Sequence, residues 1–531
     1  MRPPRSRCSA ALARAPWGVP VLLGMWLLVQ VPLFRYLGDW VGDTGKEFGV
    51  PRDLLAGQLL YRDTFWPYGP FPAYLNAGLM GLFGTHADVL LVAARLLGLA
   101  VCLMVYRLVR RCSGQAGALA AAGTVLAVSG TSGFFATPYS FATLWACLLG
   151  LLGMECLLNA GQSRRPALWL LLAGTAGAGL LLAKFTVLLP LAIPALLAGW
   201  RLARSEGKLC FPRLLSLLAC FAAPSLLVAL PVYAWFAWRT GWDSFALQAL
   251  GGFHRHNIRY GLLYPYLWRT MRLGNGHGFR EVAAASLVWA VLALAAWGAA
   301  TVRMAGRRQV PAWPAGLFAL YACLNLSQMN STVHVPYVFP AVLVAALWGT
   351  MLLEKAGPAW LRPLRYTALL FFLAIPLARL PLLLRKTMRL ETASASLRFA
   401  EQPGRALART VALVQAESPP GEPVGIFTGH DFLYQILDRP NRLGYYYTLY
   451  EPFWRPWAEE RFLRRFHAAD FRLLVVHTDE SFSHAYILDI HQTRKRILGQ
   501  LFANYEPISG DDCLPYVVWR RRAAPEKKHS K

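Results

Sequence analysis

"VGDTGKEFGVPRDLLAGQLLYRDTFWPYGPFPAYLNAGLMGLFG", residues 41–84, is the stretch whose reading decides the fold. Asp43, Lys46, Glu47, Arg52 and Asp53 place five charges in its first thirteen positions, directly after an apolar run. Its second half, from Pro70, is apolar but too short and too interrupted for the roughly 20 residues of a bilayer crossing. That half reads as an interfacial helix lying on the membrane. A charged loop followed by such a helix belongs between two membrane spans, on one face of a polytopic protein.

The rest of the chain agrees. Its 531 residues are 56% hydrophobic and 15% charged, with mean hydropathy +0.37, and a soluble protein of this length exposes far more charge. Apolar runs of spanning length fall at about 17–36, 88–108, 115–132, 140–159, 167–183, 185–200, 214–237, 282–301, 313–329, 335–353 and 364–384. The 54 Lys and Arg outnumber 28 Asp and Glu, which raises the question of nucleic acid. Their placement excludes it, because they sit in short clusters between the spans: Arg107/Arg110/Arg111, Arg164/Arg165, Arg201/Arg204/Lys208, Arg303/Arg307/Arg308 and Lys355/Arg362/Arg365. That is the positive-inside pattern of cytoplasmic loops. It puts the N-terminus in the cytoplasm, residues 37–87 and 238–281 in two large outer loops, and the C-terminus outside. Residues 1–34 mimic a signal peptide but read as a retained first helix. The nine cysteines are scattered, with no CxxC and no zinc spacing, and read as packing residues.

From about residue 395 the texture becomes soluble. "PVGIFTGHDFLYQIL", "FRLLVVHTDE" and "YVVWRRR" are strand candidates, separated by helical stretches such as "AEERFLRRFHAA". The expectation is an all-α polytopic membrane protein of about eleven transmembrane helices (residues 1–394), with a small C-terminal α/β extracytoplasmic domain (395–531) that ends in a basic tail.

Carboxylates are scarce and unevenly placed. Between Val89 and Thr350 only Glu155, Glu206, Asp243 and Glu281 are acidic, whereas the outer loop 37–63 holds Asp39, Asp43, Glu47, Asp53 and Asp63. If this stretch is helical, Asp43 and Glu47 share a face, and a carboxylate beside a low-dielectric membrane mouth can serve as a general base. The simpler reading is a loop solvated by its charges, with Lys46 and Arg52 neutralising neighbours. In loop 238–281 the arginines, Arg255 and Arg259 among them, defy positive-inside; they are either snorkelling anchors or a dock for an anionic headgroup or lipid-linked phosphate.

The segment "DTGKEF…P…LLAGQLLYRDTFWPYGPFPAYLNAGLMGLFG" resembles the first outer loop of the GT-C membrane glycosyltransferases. It is most similar to the bacterial branch of protein mannosyltransferases and lipid A aminoarabinose transferases. "LLLAKFT" at 180–186 and "HVPYVFP" at 334–340 resemble two further signatures of that family, and the segment from "GIFTGHDFLYQILDRPNRLGYYY" resembles its outer domain. The resemblance implies transfer of a sugar from a polyprenyl-phosphate donor, amid membrane lipids, to a glycan, lipid or protein acceptor outside a bacterial inner membrane. It implies Asp43 as base, Glu47 as a second carboxylate, and Arg62, Lys184 and His334, with Tyr337 in the same signature, on the phosphate side, where Arg255 and Arg259 would join them. No motif calls for a cofactor. The protein mannosyltransferases carry adjacent Asp-Glu where three residues intervene here, a departure that bears on the role of Glu47; "TSGFFATPYS" lacks the acidic residue of some relatives, which weighs against a bound divalent metal without closing the question. Two rival readings remain: a polysaccharide polymerase or O-antigen ligase acting through the 238–281 arginines, and a transporter, which would need ionisable residues in mid-span that are nearly absent here.

Overall fold

The computed structural model describes residues 17–35, 43–131, 140–205, 208–249, 313–327, 335–356, 388–399, 401–427, 431–444, 456–477 and 503–522. They form two compact units: Met1–Phe34, Pro67–Pro72 and Ala93–Leu384 make up the first, and Arg35–Trp66, Ala73–Val92 and Arg385–Lys531 the second.

The first unit is helical. Its elements are α1 (Gly18–Gln30), most of α4 (Ala87–Thr131), α5 (Phe141–Ala160), α6 (Pro166–Lys184), α7 (Leu188–Leu202), α8 (Phe211–Pro224), α9 (Leu230–Thr240), α10 (Trp242–Ala249), α11 (Trp313–Ser327) and α12 (Val335–Ala356). Between α7 and α8 runs a two-stranded ribbon, β1 (Arg204–Ser205) and β2 (Lys208–Leu209). The core follows α5, where residues such as Phe141, Leu144, Leu151 and Met154 are buried all round, as expected of a helix enclosed on every side. By contrast α8 and α9 expose Phe211, Leu215, Leu230, Trp235 and Trp238, an apolar surface suited to lipid.

Four described helical runs are long and apolar enough to cross a membrane: Ala87–Val128, Phe141–Ala160, Pro166–Leu202 and Phe211–Thr240. Gly18–Gln30, Ala315–Asn325 and Val338–Met351 are shorter apolar helices. This is a multi-pass membrane protein. Several expected boundaries change. The expected spans 88–108 and 115–132 are one helical run, broken by non-helical backbone at Gly114 (φ 73°). The expected first span 17–36 shortens to α1, because Pro32 has no N–H to continue the ladder. At 13 residues α1 is only about 20 Å long. The expected break at Lys184 is present: the residue takes extended backbone (φ −150°, ψ 91°), and one 3₁₀ turn, Phe185–Val187, leads into α7. The expected spans 282–301 and 364–384 lie outside the described residues.

The second unit combines α2 (Asp43–Leu55), α3 (Phe71–Phe83, most of it), the hairpin β3 (Met388–Glu391) and β4 (Ser396–Phe399), α13 (Glu401–Glu417), β5 (Val424–Phe427), α14 (Leu433–Ile436), α15 (Pro456–Ala469), β6 (Leu473–His477), β7 (Tyr505–Pro507) and β8 (Tyr516–Arg521). The sheet order is β5-β6-β8-β7; β5 and β6 are parallel, and β8 runs antiparallel to both β6 and β7. A parallel pair needs a crossover, which includes α15. Phe462 and Phe466, four apart on α15, meet Phe427, Phe471, Leu474 and Tyr505 in a core that also holds Phe65 of the first loop. The three strand candidates are thus strands only in part: "VGIF" is β5, whereas "LYQI" of the same stretch is the helix α14.

Candidate functional site

Three of the first-loop carboxylates, Asp43, Glu47 and Asp53, lie on one helix. Positions 43 and 47 are one turn apart in α2, as the four-residue spacing requires. Position 43 opens the helix, where a negative charge favours the macrodipole. Glu47 is fully buried, and Lys46 and Asp53 nearly so; these groups are not a solvated loop face. Asp431 and Tyr434 are also buried in this unit. Burial, with Asp431 and Asp53 nearby, raises the Tyr434 hydroxyl well above its ordinary range, so it stays protonated and accepts a hydrogen bond from the Ile426 N–H (3.3 Å).

One stripe of α2 rests on residues 431–438. A Cβ at Gly45 would collide with the main chain of Asp431 and Phe432; only glycine permits that approach. One turn on, Phe48 meets Phe432 edge-to-face at 4.9 Å. Another turn on, Arg52 donates to Gln435 Oε1 (3.2 Å) and Asp438 Oδ1 (2.5 Å).

The "YRD" triplet forms a tight turn after α2. Tyr61, at φ 66°, is completely buried, and its N–H donates to the Thr64 carbonyl (2.9 Å). Arg62 forks onto Asp63, with Nη2 to Oδ2 at 2.7 Å and Nε to Oδ1 at 3.0 Å. Asp63 also accepts from the Leu59 N–H (2.9 Å). Partial burial alone would raise the Asp63 pKa, but Arg62, the Leu59 amide and Arg465 outweigh it and hold the carboxyl below its ordinary value. Arg465 of α15 clamps the turn through its main chain, donating to the carbonyls of Arg62 (2.9 Å), Asp63 (2.7 Å) and Leu443 (2.9 Å).

A second group lies in the first unit. Lys184 Nζ donates to Thr143 Oγ1 of α5 (3.1 Å) and sits 5.7 Å from the centre of the Tyr68 ring. Tyr68 is held there because the Gly69 N–H donates to the Ala183 carbonyl (3.0 Å). A Cβ at Gly69 would collide with the Leu182 carbonyl. The "WPYGP" and "LLLAKFT" segments, more than a hundred residues apart in sequence, thus form one cationic, aromatic corner.

Of the residues singled out from sequence, Asp43, Glu47 and Arg62 fall in the second unit, and Lys184 in the first. The Asp43 side chain is not among those described. Tyr337 lies in the first turn of α12, and its side chain is likewise not described. Arg255, Arg259 and His334 lie outside the described residues. Arg465, Gln435, Asp431 and Thr143 carried no sequence signal, because their partners lie tens to hundreds of positions away. Among the described residues no group of three or more His, Cys, Asp or Glu stands ready to hold a metal ion.

The family model for dolichyl-phosphate-mannose–protein mannosyltransferases matches residues 67–235. No curated protein sequence matches. Among solved structures, ArnT from Cupriavidus metallidurans bound to undecaprenyl phosphate superposes with a TM-score of 0.56 at 16% identity, over 98% of this chain and 99% of ArnT. The chain shares the fold of ArnT, and its residues 67–235 resemble the protein mannosyltransferase family. ArnT in the apo state gives 0.54 at 15% identity, over 96% and 98%. The apo oligosaccharyltransferase of Archaeoglobus fulgidus gives 0.50 at 14% identity, over 88% of this chain and 70% of that one. The resemblance read from the first-loop residues is borne out, and the GT-C membrane glycosyltransferases are the class to which this chain is similar.

Proposed function

We propose that this protein transfers a sugar from a polyprenyl-phosphate donor to an extracytoplasmic acceptor, with Asp43 as general base. The observation that carries the reading is the carboxylate helix. In a chain of GT-C fold, the loop richest in acidic residues is a helix that begins at Asp43 and fully buries Glu47 one turn on. The solved ArnT that superposes over nearly the whole chain was bound to undecaprenyl phosphate, which supports a lipid-linked donor here.

The reaction breaks the bond between the anomeric carbon and the phosphate oxygen, and the phosphate leaves with the bonding electrons. An acceptor hydroxyl or amine attacks that carbon and gives its proton to the Asp43 carboxylate. Glu47 is the second carboxylate, and its burial fits orientation of its neighbours rather than exchange with bulk water. The leaving phosphate needs cations where its charge develops. Lys184, fixed by Thr143 and faced by Tyr68, suits that task. Arg62 can share in it only against the pull of Asp63, which already takes its Nε and Nη2. Arg255, Arg259, His334 and Tyr337 stay in the proposal on sequence grounds.

Asp43→Asn keeps size and most hydrogen bonding but removes the proton acceptor. Transfer should fall by at least ~10²-fold, the low end for general-base catalysis, while donor binding survives. Glu47→Gln should cost less. Near wild-type transfer by Asp43→Asn together with loss by Glu47→Gln would exchange the two roles, and normal transfer by both would remove the reading.

A further inference from the structure

Gln435 occupies an unusual position in the second unit. It is 1% exposed and every polar atom of its side chain is engaged. Nε2 donates to the carbonyls of Thr85 (3.1 Å) and Ser394 (2.8 Å), and Oε1 accepts from Arg52 Nη1 (3.2 Å). The Gln435 carbonyl accepts from the Ser394 hydroxyl. One amide therefore joins the segment before α4, the β3–β4 turn, α14 and the carboxylate helix. Neutral glutamine is required: glutamate lacks the two donors, and leucine of similar size offers nothing to any of the three partners. Loss of the amide leaves the carbonyl of the buried Ser394 without this donor.

The bond to Arg52 belongs to the stripe Gly45–Phe48–Arg52 by which α2 rests on residues 431–438. Asp43 and Glu47 share that helix, so whatever fixes its axis and rotation fixes them. We propose that Gln435 is a positioning residue for the carboxylate helix, setting the placement of Asp43 and Glu47 by tying Arg52 to the main chain at Thr85 and Ser394. Its kinetic consequence rests on the reading of Asp43 as base; its structural consequence does not.

The test uses the full-length protein in detergent or nanodiscs, with two substitutions, Gln435→Leu and Gln435→Glu. Amide exchange across residues 43–55 should rise by about tenfold or more in both, while α5 keeps its protection. With a polyprenyl-phosphate sugar as donor, kcat should fall by about tenfold or more, as misplacing a reacting group does, and the donor KM should stay within about twofold. Arg405→Ala, which removes an exposed pair with Glu401 on α13, should change neither readout. Wild-type exchange and kcat in Gln435→Glu would overturn the proposal, because the two donors would then carry nothing. Loss of transfer in proportion to folded protein, with exchange over 43–55 unchanged, would also overturn it, leaving Gln435 a plain stability residue. If the wild-type protein itself transfers no sugar, the glycosyltransferase reading fails, and the exchange experiment still decides the positioning role.

Discussion

Asp63 ties a local charge pair to the shape of the first loop. Its carboxylate receives the Arg62 fork and the Leu59 amide, while Arg465 holds the carbonyls of residues 62 and 63. Because its folded pKa lies below that of the unfolded chain, the ionised form favours folding. That contribution is complete above the unfolded carboxylate pKa near ~4 and is lost as the pH falls through the lower folded value. Asp63→Asn keeps an acceptor for Leu59 but loses the charge. Its melting temperature should lie below wild type at pH 7, and the gap should close as the pH falls below about 4. A gap that stays constant from pH 7 to pH 3 would show that the ionised carboxylate contributes nothing. The adjacent Arg62–Asp63 pair is legible in the sequence. The Arg465 clamp is not, because it joins positions four hundred residues apart.

At the scale of elements, apolar length made the helices of the first unit legible, and the basic clusters marked their ends. The sequence marked Glu155 as one of the few carboxylates among the spans but did not pair it. In the structure its side chain is buried on α5 and takes Arg107 Nε at 2.5 Å and Arg111 Nη2 at 2.6 Å, with Arg111 reaching Asn159 at 2.8 Å. A carboxylate in that setting is tolerable only when paired. Glu155→Ala leaves Arg111 without its carboxylate, whereas Arg107 is 65% exposed and recovers water, so the cost should be about 1–3 kcal/mol, below that of a fully buried pair. A thermal shift in detergent measures it, and an unchanged melting temperature would mean that the pair only screens itself. Less legible were short elements whose type is set by tertiary contacts. "LYQI" falls in a strand candidate, yet it is helical where α2 packs on it. The ribbon and hairpin strands of two to four residues are too short for a pattern to register.

On the scale of the whole molecule, the sequence yielded the class but not the grouping. Composition and basic clusters gave a multi-pass protein, and the residues around 43–84 gave the family likeness. That Phe65 completes the core of the C-terminal sheet, and that α2 rests on residues 431–438, required coordinates, because no local pattern encodes pairings across nearly four hundred residues. These contacts bear on orientation. Residues 37–63 and 395–531 contribute to one compact unit, so they belong on the same side of the membrane. The positive-inside pattern of the basic clusters predicts that this side is the outside. A phosphatase fused after residue 395, and a cysteine-reactive, membrane-impermeant probe directed at a cysteine introduced at the half-exposed Arg62, should both report an extracytoplasmic location in intact cells. If the two reporters disagree, the compact unit cannot form in the cell. If both report the cytoplasm, positive-inside fails for this chain, and acid–base chemistry by Asp43 would face the cytoplasm rather than the outside.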